Sequence, residues 1–149
     1  MRNPFSPLLA LAVLMTASPS LLAQGPGPVV GRVQISVQSG FSTVKAGGFG
    51  EAQIAVTNAS TTSAVHVVIQ AWVTYSDGTV HPLGLGPGQT LPPGIGVVVF
   101  PLFVVPQGTA PGEATIHGRV FVTRVTNTKI TRVPRPAVAL DSAVFTVVP

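Results

Sequence analysis

The side chains that could carry out acid–base chemistry are few, because the 149-residue chain holds only four carboxylates and three histidines. Hydrolysis of a glycoside needs two carboxyl groups about 5 to 10 Å apart. Each carboxylate here stands instead at a predicted turn or strand start, where it has a structural role; they are Glu51, Asp77, Glu113 and Asp141. The chain has no cysteine, which excludes thiol catalysis and zinc sites with sulfur ligands. We therefore predict no catalytic residue.

Two of the histidines are expected on one surface. His66 and His117 point outward from two strands that we expect to be neighbours in a sheet, which would allow a shared metal ion. No third ligand accompanies them, whereas a zinc site needs three or four protein ligands. Solvated histidines are the favoured interpretation, and His81 is grouped with them. We predict no metal ion and no cofactor.

A candidate binding face follows from strand alternation, since every second side chain of a strand points to the same face of its sheet. This pattern places five side chains together on the outward face of two paired strands: Gln70, Trp72, His117, Arg119 and Phe121. An exposed tryptophan beside a phenylalanine and polar neighbours is typical of a ligand or partner site. The alternative is that Trp72 faces the core, because a register shift of one residue exchanges the two faces.

A second candidate site is a basic cluster in the C-terminal third of the chain. Arg119 is followed by four more basic residues in or beside a proline-containing segment that we expect to be an exposed loop: Arg124, Lys129, Arg132 and Arg135. Such a cluster can bind anionic polysaccharide or nucleic acid. We predict no nucleic-acid partner, because an exported protein seldom meets nucleic acid and only Phe121 supplies an aromatic ring nearby. A solvated loop that keeps an apolar protein soluble is favoured, with polysaccharide binding as the alternative.

The first 23 residues predict export from the cytoplasm. Arg2 supplies a positive charge, residues 8–15 form a compact apolar run, and Ala23 is a small residue at the expected cleavage site. We assign residues 1–23 to a signal peptide, 24–28 to a flexible leader and 29–149 to a single domain. The cleaved protein is expected to be extracellular or periplasmic. It should have no membrane span, since no run reaches the roughly 18 apolar residues that a span requires.

Short apolar runs between turn residues predict an all-β domain. The first strand alternates at Val33, Ile35 and Val37, and Asp77-Gly78 predicts a hairpin turn. Pro101 interrupts an apolar run over residues 95–105, so this strand should lie at an edge, be bulged or change sheets. The third strand has its core face at Val67, Ile69, Ala71, Val73 and Tyr75. About seven strands and no helix predict an immunoglobulin-like antiparallel β-sandwich.

Asn58-Ala59-Ser60 has two interpretations. The three residues match the acceptor sequence for N-glycosylation. They also make an ordinary turn after a strand, because asparagine and serine side chains bond to nearby backbone groups. We favour the turn.

The order of turn signals from Gly50 onward resembles the immunoglobulin-like and fibronectin type III-like modules of secreted bacterial proteins. The residues that carry the resemblance span about two thirds of the chain: Asn58, Asp77-Gly78, Leu91 with Pro93-Gly94, Val105-Pro106 with Pro111-Gly112, and Asp141-Ser142 with Phe145. Ala114 departs from the pattern, since these modules often place an aromatic residue there. The resemblance implies a β-sandwich and no particular ligand, because fold does not fix function.

The leading hypothesis from the sequence is an exported, non-catalytic binding or assembly module at the bacterial cell surface or in the periplasm. Its partner would be another protein or a second copy of the chain, because apolar strands suggest contact surfaces and open edges. A module that binds carbohydrate or cell envelope through Trp72 and the basic loop is the first alternative. A small secreted enzyme or inhibitor is the second.

Overall fold

The computed structural model of the protein describes residues 29–30, 33–85, 87–123 and 139–149. These residues form eleven strands and no helix, so none of them belongs to a helix that could cross a membrane. The predicted signal peptide and leader lie outside the described residues, as do Arg124, Lys129, Arg132 and Arg135. The described strands form two sheets that pack face to face, which confirms the predicted all-β, immunoglobulin-like sandwich.

The first sheet has five strands. Along the sheet their order is β1, β2, β4 and β8, and β9 also pairs with β4. All of these pairs are antiparallel. The strands are β1 (Val29–Val30), β2 (Val33–Ser39), β4 (Phe49–Asn58), β8 (Gly96–Val99) and β9 (Leu102–Val104).

The second sheet has six strands and carries the predicted binding face. Its order is β3, β11, β10, β5 and β6, and β7 pairs with β5 beside β6. The pairs are antiparallel except for β3, which runs parallel to β11. The strands are β3 (Thr43–Lys45), β5 (Val65–Thr74), β6 (Val80–Leu83), β7 (Gln89–Leu91), β10 (Gly112–Thr123) and β11 (Ala139–Val148).

The structure has more strands than the seven or so expected, for two physical reasons. The strands β1, β3 and β7 hold only two or three residues each, which is too short to show alternation in sequence. Pro101 divides the apolar run into β8 and β9, and both pair with β4 along the edge of the first sheet. The carbonyl of Pro101 still accepts a hydrogen bond from the Ala52 N–H, at 3.1 Å. Of the three alternatives predicted for this strand, the structure shows the edge position.

The core lies between the sheets and follows the predicted alternation. Four of the five residues on the expected core face of β5 and its continuation are buried, and Ile69 is half-buried. Burial of these apolar side chains supplies most of the driving force for folding. The largest fully buried apolar side chains come from both sheets: Ile35, Ile54, Ile116 and Phe145.

Gly118 allows the two sheets to approach closely beneath the binding face. It lies in β10 between His117 and Arg119, and its backbone faces β2 of the other sheet. A Cβ atom at this position would be 2.6 Å from Cγ2 of Val37 and 3.1 Å from Cδ1 of Ile35. Since these contacts are shorter than van der Waals separation, any larger residue would push β10 away from β2.

Asn58 is a fully buried polar residue at the end of β4. Its Nδ2 donates to the carbonyls of Ser63, Leu91 and Pro92 at 2.9, 3.0 and 3.1 Å, and its Oδ1 accepts from the Ser60 N–H at 3.0 Å. The side chain therefore holds the turn after β4 against the end of β7. This geometry agrees with the turn interpretation, because an amide nitrogen buried in three hydrogen bonds is not accessible for glycosylation.

Replacing Asn58 should destabilise the whole domain. Asn58→Ala removes the donor for three carbonyls near the core, and we expect a loss of about 3 kcal/mol in the free energy of unfolding. Chemical denaturation followed by circular dichroism measures this loss. Ser63→Ala is the matched control, because it keeps the backbone carbonyl that Asn58 binds. A loss for Asn58→Ala no larger than that of the control would contradict the assigned role.

Candidate functional site

The pairing of β5 with β10 brings the predicted binding residues together. Trp72 lies directly opposite His117, and Gln70 lies opposite Arg119. Phe121 is the next residue of β10 on the same face. Trp72 is half-buried and points away from the core, whereas its neighbours Ala71 and Val73 are buried. The geometry thus selects the outward position of Trp72 over the alternative in the core.

Four of these side chains form a continuous stack, which we call the aromatic–arginine ladder: His117, Trp72, Arg119 and Phe121. The rings of Trp72 and His117 are 5.1 Å apart between centroids and 16° from parallel. Cζ of Arg119 lies 5.0 Å from the Trp72 centroid and 5.2 Å from the Phe121 centroid. Both distances are within the range of cation–π attraction. Each member of the ladder is therefore held by its neighbours.

Arg119 is fixed in a third direction by Gln70. Its Nε donates to Oε1 of Gln70 at 2.8 Å. The two terminal nitrogens of the guanidinium make no hydrogen bond to any described residue, and no described carboxylate pairs with the cation. A planar guanidinium that contacts two aromatic rings loses little side-chain freedom when it binds an oxyanion through its terminal N–H groups. The geometry thus prepares Arg119 for an anionic group.

A groove of about 560 Å³ lies beside the ladder. Gln70, Trp72 and Arg119 line it on the face of the sheet, and Ile69, Leu83 and Leu85 line it toward the core. It occupies a break in the edge of the sheet. Along β5, β6 pairs with residues 71–74 and β7 pairs with residues 65–67, so residues 68–70 have no strand beside them on that edge within the described chain. The volume is in the range of small-molecule sites.

A second groove, of about 440 Å³, lies on the other side of the ladder. Its lining includes Trp72, His117, Leu140, Asp141 and Ser142. Trp72 thus borders both grooves, so a substitution of its ring would change the lining of each of them. Sequence reasoning missed the contributions of β6 and β11 to these grooves. The sequence predicts the hairpin turn at Asp77-Gly78, but it does not show the register that sets β6 beside Trp72.

The carboxylates lie on four different elements and have structural roles where contacts are shown. Oδ2 of Asp141 accepts the Val37 N–H at 2.7 Å, which joins β11 to β2 of the other sheet. Oδ1 of Asp77 accepts the Thr79 N–H at 2.8 Å in the hairpin turn, and this bond lowers the pKa of Asp77. Burial raises the pKa of Tyr75, whose hydroxyl has no partner among the described residues. Neither shifted group lines a groove, and the absence of a catalytic residue stays a prediction.

The two outward histidines do not form a pair. His66 lies opposite Thr123 in the register of β5 and β10, whereas His117 lies opposite Trp72, six residues further along β5. His66 instead contacts Oγ1 of Thr90 through Nδ1, at 3.1 Å. Within the described part of the chain, no three histidine or carboxylate side chains are placed to hold a metal ion.

The cation–π contact between Arg119 and Trp72 should be measurable as a coupling energy. We expect a double-mutant cycle with Arg119→Met and Trp72→Leu to give about 1 kcal/mol, from the free energies of unfolding of the four proteins. Circular dichroism is the suitable signal, because Trp72 is the only tryptophan. The same cycle with Val144→Ala in place of Trp72→Leu is the control and should give less than about 0.3 kcal/mol. Equal couplings in the two cycles would show that the ladder is not held by this contact.

No family model matches the sequence, and no curated protein sequence matches it. The fold does match solved structures. One is the alkylpurine DNA glycosylase AlkC of Pseudomonas fluorescens bound to DNA with an abasic site analogue, at 16% identity and a TM-score of 0.56. The match covers 94% of this chain and 37% of that chain, so the chain spans little more than a third of the glycosylase.

Two further matches are similar in fold. The CARDB domain of a Pyrococcus furiosus protein, solved in complex with di-metal ions, has 15% identity and a TM-score of 0.50, and the match covers 82% of this chain and 94% of that domain. The native conformation of alpha-2-macroglobulin from E. coli has 15% identity and a TM-score of 0.53, with 81% of this chain and 7% of that chain covered. At these identities the similarity establishes the β-sandwich and leaves the function to the residues of this chain.

Proposed function

We propose that the protein is an exported, non-catalytic binding module of the bacterial cell surface or periplasm, and that it binds through the aromatic–arginine ladder. The observation that carries the proposal is the state of Arg119. This cation is held between Trp72 and Phe121 and by Gln70, yet its terminal nitrogens have no partner among the described residues. Export is supported by the charged, apolar and small-residue pattern of residues 1–23.

A carbohydrate or cell-envelope ligand is the alternative use of the same face. Sugar recognition by an aromatic residue uses an open ring face, and the Trp72 ring already contacts both the His117 ring and the Arg119 guanidinium. An envelope polysaccharide would therefore bind mainly through acidic groups at Arg119. Any help from Arg124, Lys129, Arg132 and Arg135 stays a prediction, because these residues lie outside the described part of the chain.

The ladder should be where an envelope component binds. Envelope material is separated into polysaccharide, protein and lipid fractions. We expect at least one of these fractions to shift the backbone amide NMR signals of residues 70–72 and 117–121. Arg119→Gln should weaken this binding roughly tenfold, the usual effect of losing a charge-assisted hydrogen bond. Val144→Gln, on the same sheet face but outside both grooves, is the control. The proposal fails if no fraction shifts these signals, or if both variants bind equally.

Assembly of several copies is a second candidate function, and the open edge of the first sheet favours it. Within the described chain, β8 and β9 pair with β4 alone. Exposed apolar side chains cluster along this edge and on the neighbouring part of β4, where Phe49 is 74% exposed and Leu102 is 70% exposed. Residues 82–112 hold no charged side chain. Natural edge strands usually carry charges that prevent pairing with another copy, and this edge lacks them.

Self-association through this edge should depend on concentration. We expect light scattering to show a rising mass as the protein is concentrated, and Leu102→Lys to restore the monomer by placing a charge at the edge. The substitution is tolerable in the fold, since Leu102 is exposed and lies opposite Glu51. Val144→Lys introduces the same charge on the other sheet and should leave association unchanged. A constant monomer mass for the unmodified protein at all concentrations would exclude this candidate.

A further inference from the structure

We infer that the ligand of the ladder is an amphipathic organic anion, whose oxyanion binds Arg119 and whose apolar body enters the groove at the break between β6 and β7. This inference rests on the proposed function, because it names the ligand class of the same site. Two features of the site carry it: the state of the Arg119 cation and the apolar lining of the groove.

The anionic end of the ligand is set by Arg119. Arg119 lines the groove, its Nε donates to Gln70, and its terminal nitrogens make no hydrogen bond to a described residue. A carboxylate or sulfonate accepts two parallel N–H bonds from such a fork, which a hydroxyl group cannot do. The ladder keeps the fork in place before the ligand arrives, so less freedom is lost on binding.

The break in the sheet edge between β6 and β7 provides the site for the apolar end of the ligand. Within the part of the chain that the structure describes, residues 68–70 of β5 have no neighbouring strand there, and core-packed side chains line the groove at this point. Ile69 and Leu85 are half-buried residues packed against the core, and both line the groove with Leu83. A chain of methylene groups in this position would cover apolar surface that water now contacts, which is the favourable term in such binding.

The lining argues against a neutral sugar. Among the described residues that line the groove, Gln70 and Arg119 supply the polar side-chain groups, together with the indole of Trp72, and the remaining ones are apolar or glycine. A sugar carries several hydroxyl groups, and each would lose its water without gaining a partner against Ile69, Leu83 or Leu85. An aliphatic or aromatic body has no such cost.

The test compares two probes with the same apolar body, octanoate and 1-octanol. Trp72 is the only tryptophan in the chain and borders the groove, so its emission reports binding there. We expect octanoate to change this emission with saturation and to bind at least about tenfold more tightly than 1-octanol. Arg119→Gln should remove this preference while leaving 1-octanol binding unchanged. Methyl NMR signals of Leu83 and Leu85 should shift with both probes.

Val80→Glu and Val144→Glu provide a matched pair of variants. Val80 and Val144 lie at the two ends of one cross-strand row, opposite Thr74 and Thr115, and are 57% and 51% exposed. Val80 lines the groove and Val144 does not. We expect Val80→Glu to weaken octanoate binding about tenfold or more, whether the new carboxylate repels the probe or pairs with Arg119. Val144→Glu should bind octanoate as the unmodified protein does.

Three results would overturn the inference: equal affinity for octanoate and 1-octanol, equal weakening by the two glutamate variants, or no response of Trp72 and the leucine methyl groups to either probe. The proposed function has a separate outcome. If octanoate is inert while an envelope fraction still shifts the amide signals of the ladder, the ligand class is wrong and the binding module stands. If neither the probes nor any fraction act at this face, both proposals fail.

Discussion

The domain depends on one buried amide group. The Asn58 side chain binds the carbonyls of Ser63, Leu91 and Pro92, and its backbone N–H and carbonyl bind Ile95 and Gly94. Through these bonds Asn58 connects the end of β4 to the turn that follows it and to the segment between β7 and β8. Since β4 belongs to one sheet and β7 to the other, this residue fixes how the two sheets meet at that end. A hydrophobic residue of similar size would fill the space and leave the carbonyls without donors.

The candidate binding face is positioned by the same strands that build the core. In β5 and β10, alternate residues enter the interior while the residues between them form the ladder. Gly118 brings this part of β10 close to β2, and the Asp141 carboxylate holds β11 to β2 from the other side. Core packing therefore determines the positions of Trp72 and Arg119. These side chains would lose little conformational entropy when a ligand binds.

Strong alternation made the long strands predictable. It gave the expected core face of β5, which the structure agrees with, but it left Trp72 open between the outward position and the core until the burial of Ala71 and Val73 decided it. The register of β10 against β5 was not in the sequence, because those strands are far apart in the chain and no tight turn joins them. The bond from Arg119 to Gln70 and the break between β6 and β7 both follow from that register and from strand lengths. Short strands such as β3 could not be seen at all, since three residues show no period.

The position of Pro101 has a consequence for aggregation of the chain before it is folded. Without this proline, residues 95–105 would form one uninterrupted, uncharged apolar stretch at an open edge. Amyloid formation requires segments of about six or seven such residues free of proline. Pro101 divides the stretch into proline-free segments over residues 95–100 and 102–105, and its own nitrogen has no hydrogen to donate to a neighbouring strand. The proline thus acts as a gatekeeper, because it shortens the apolar stretch and interrupts its backbone donors while the edge stays apolar.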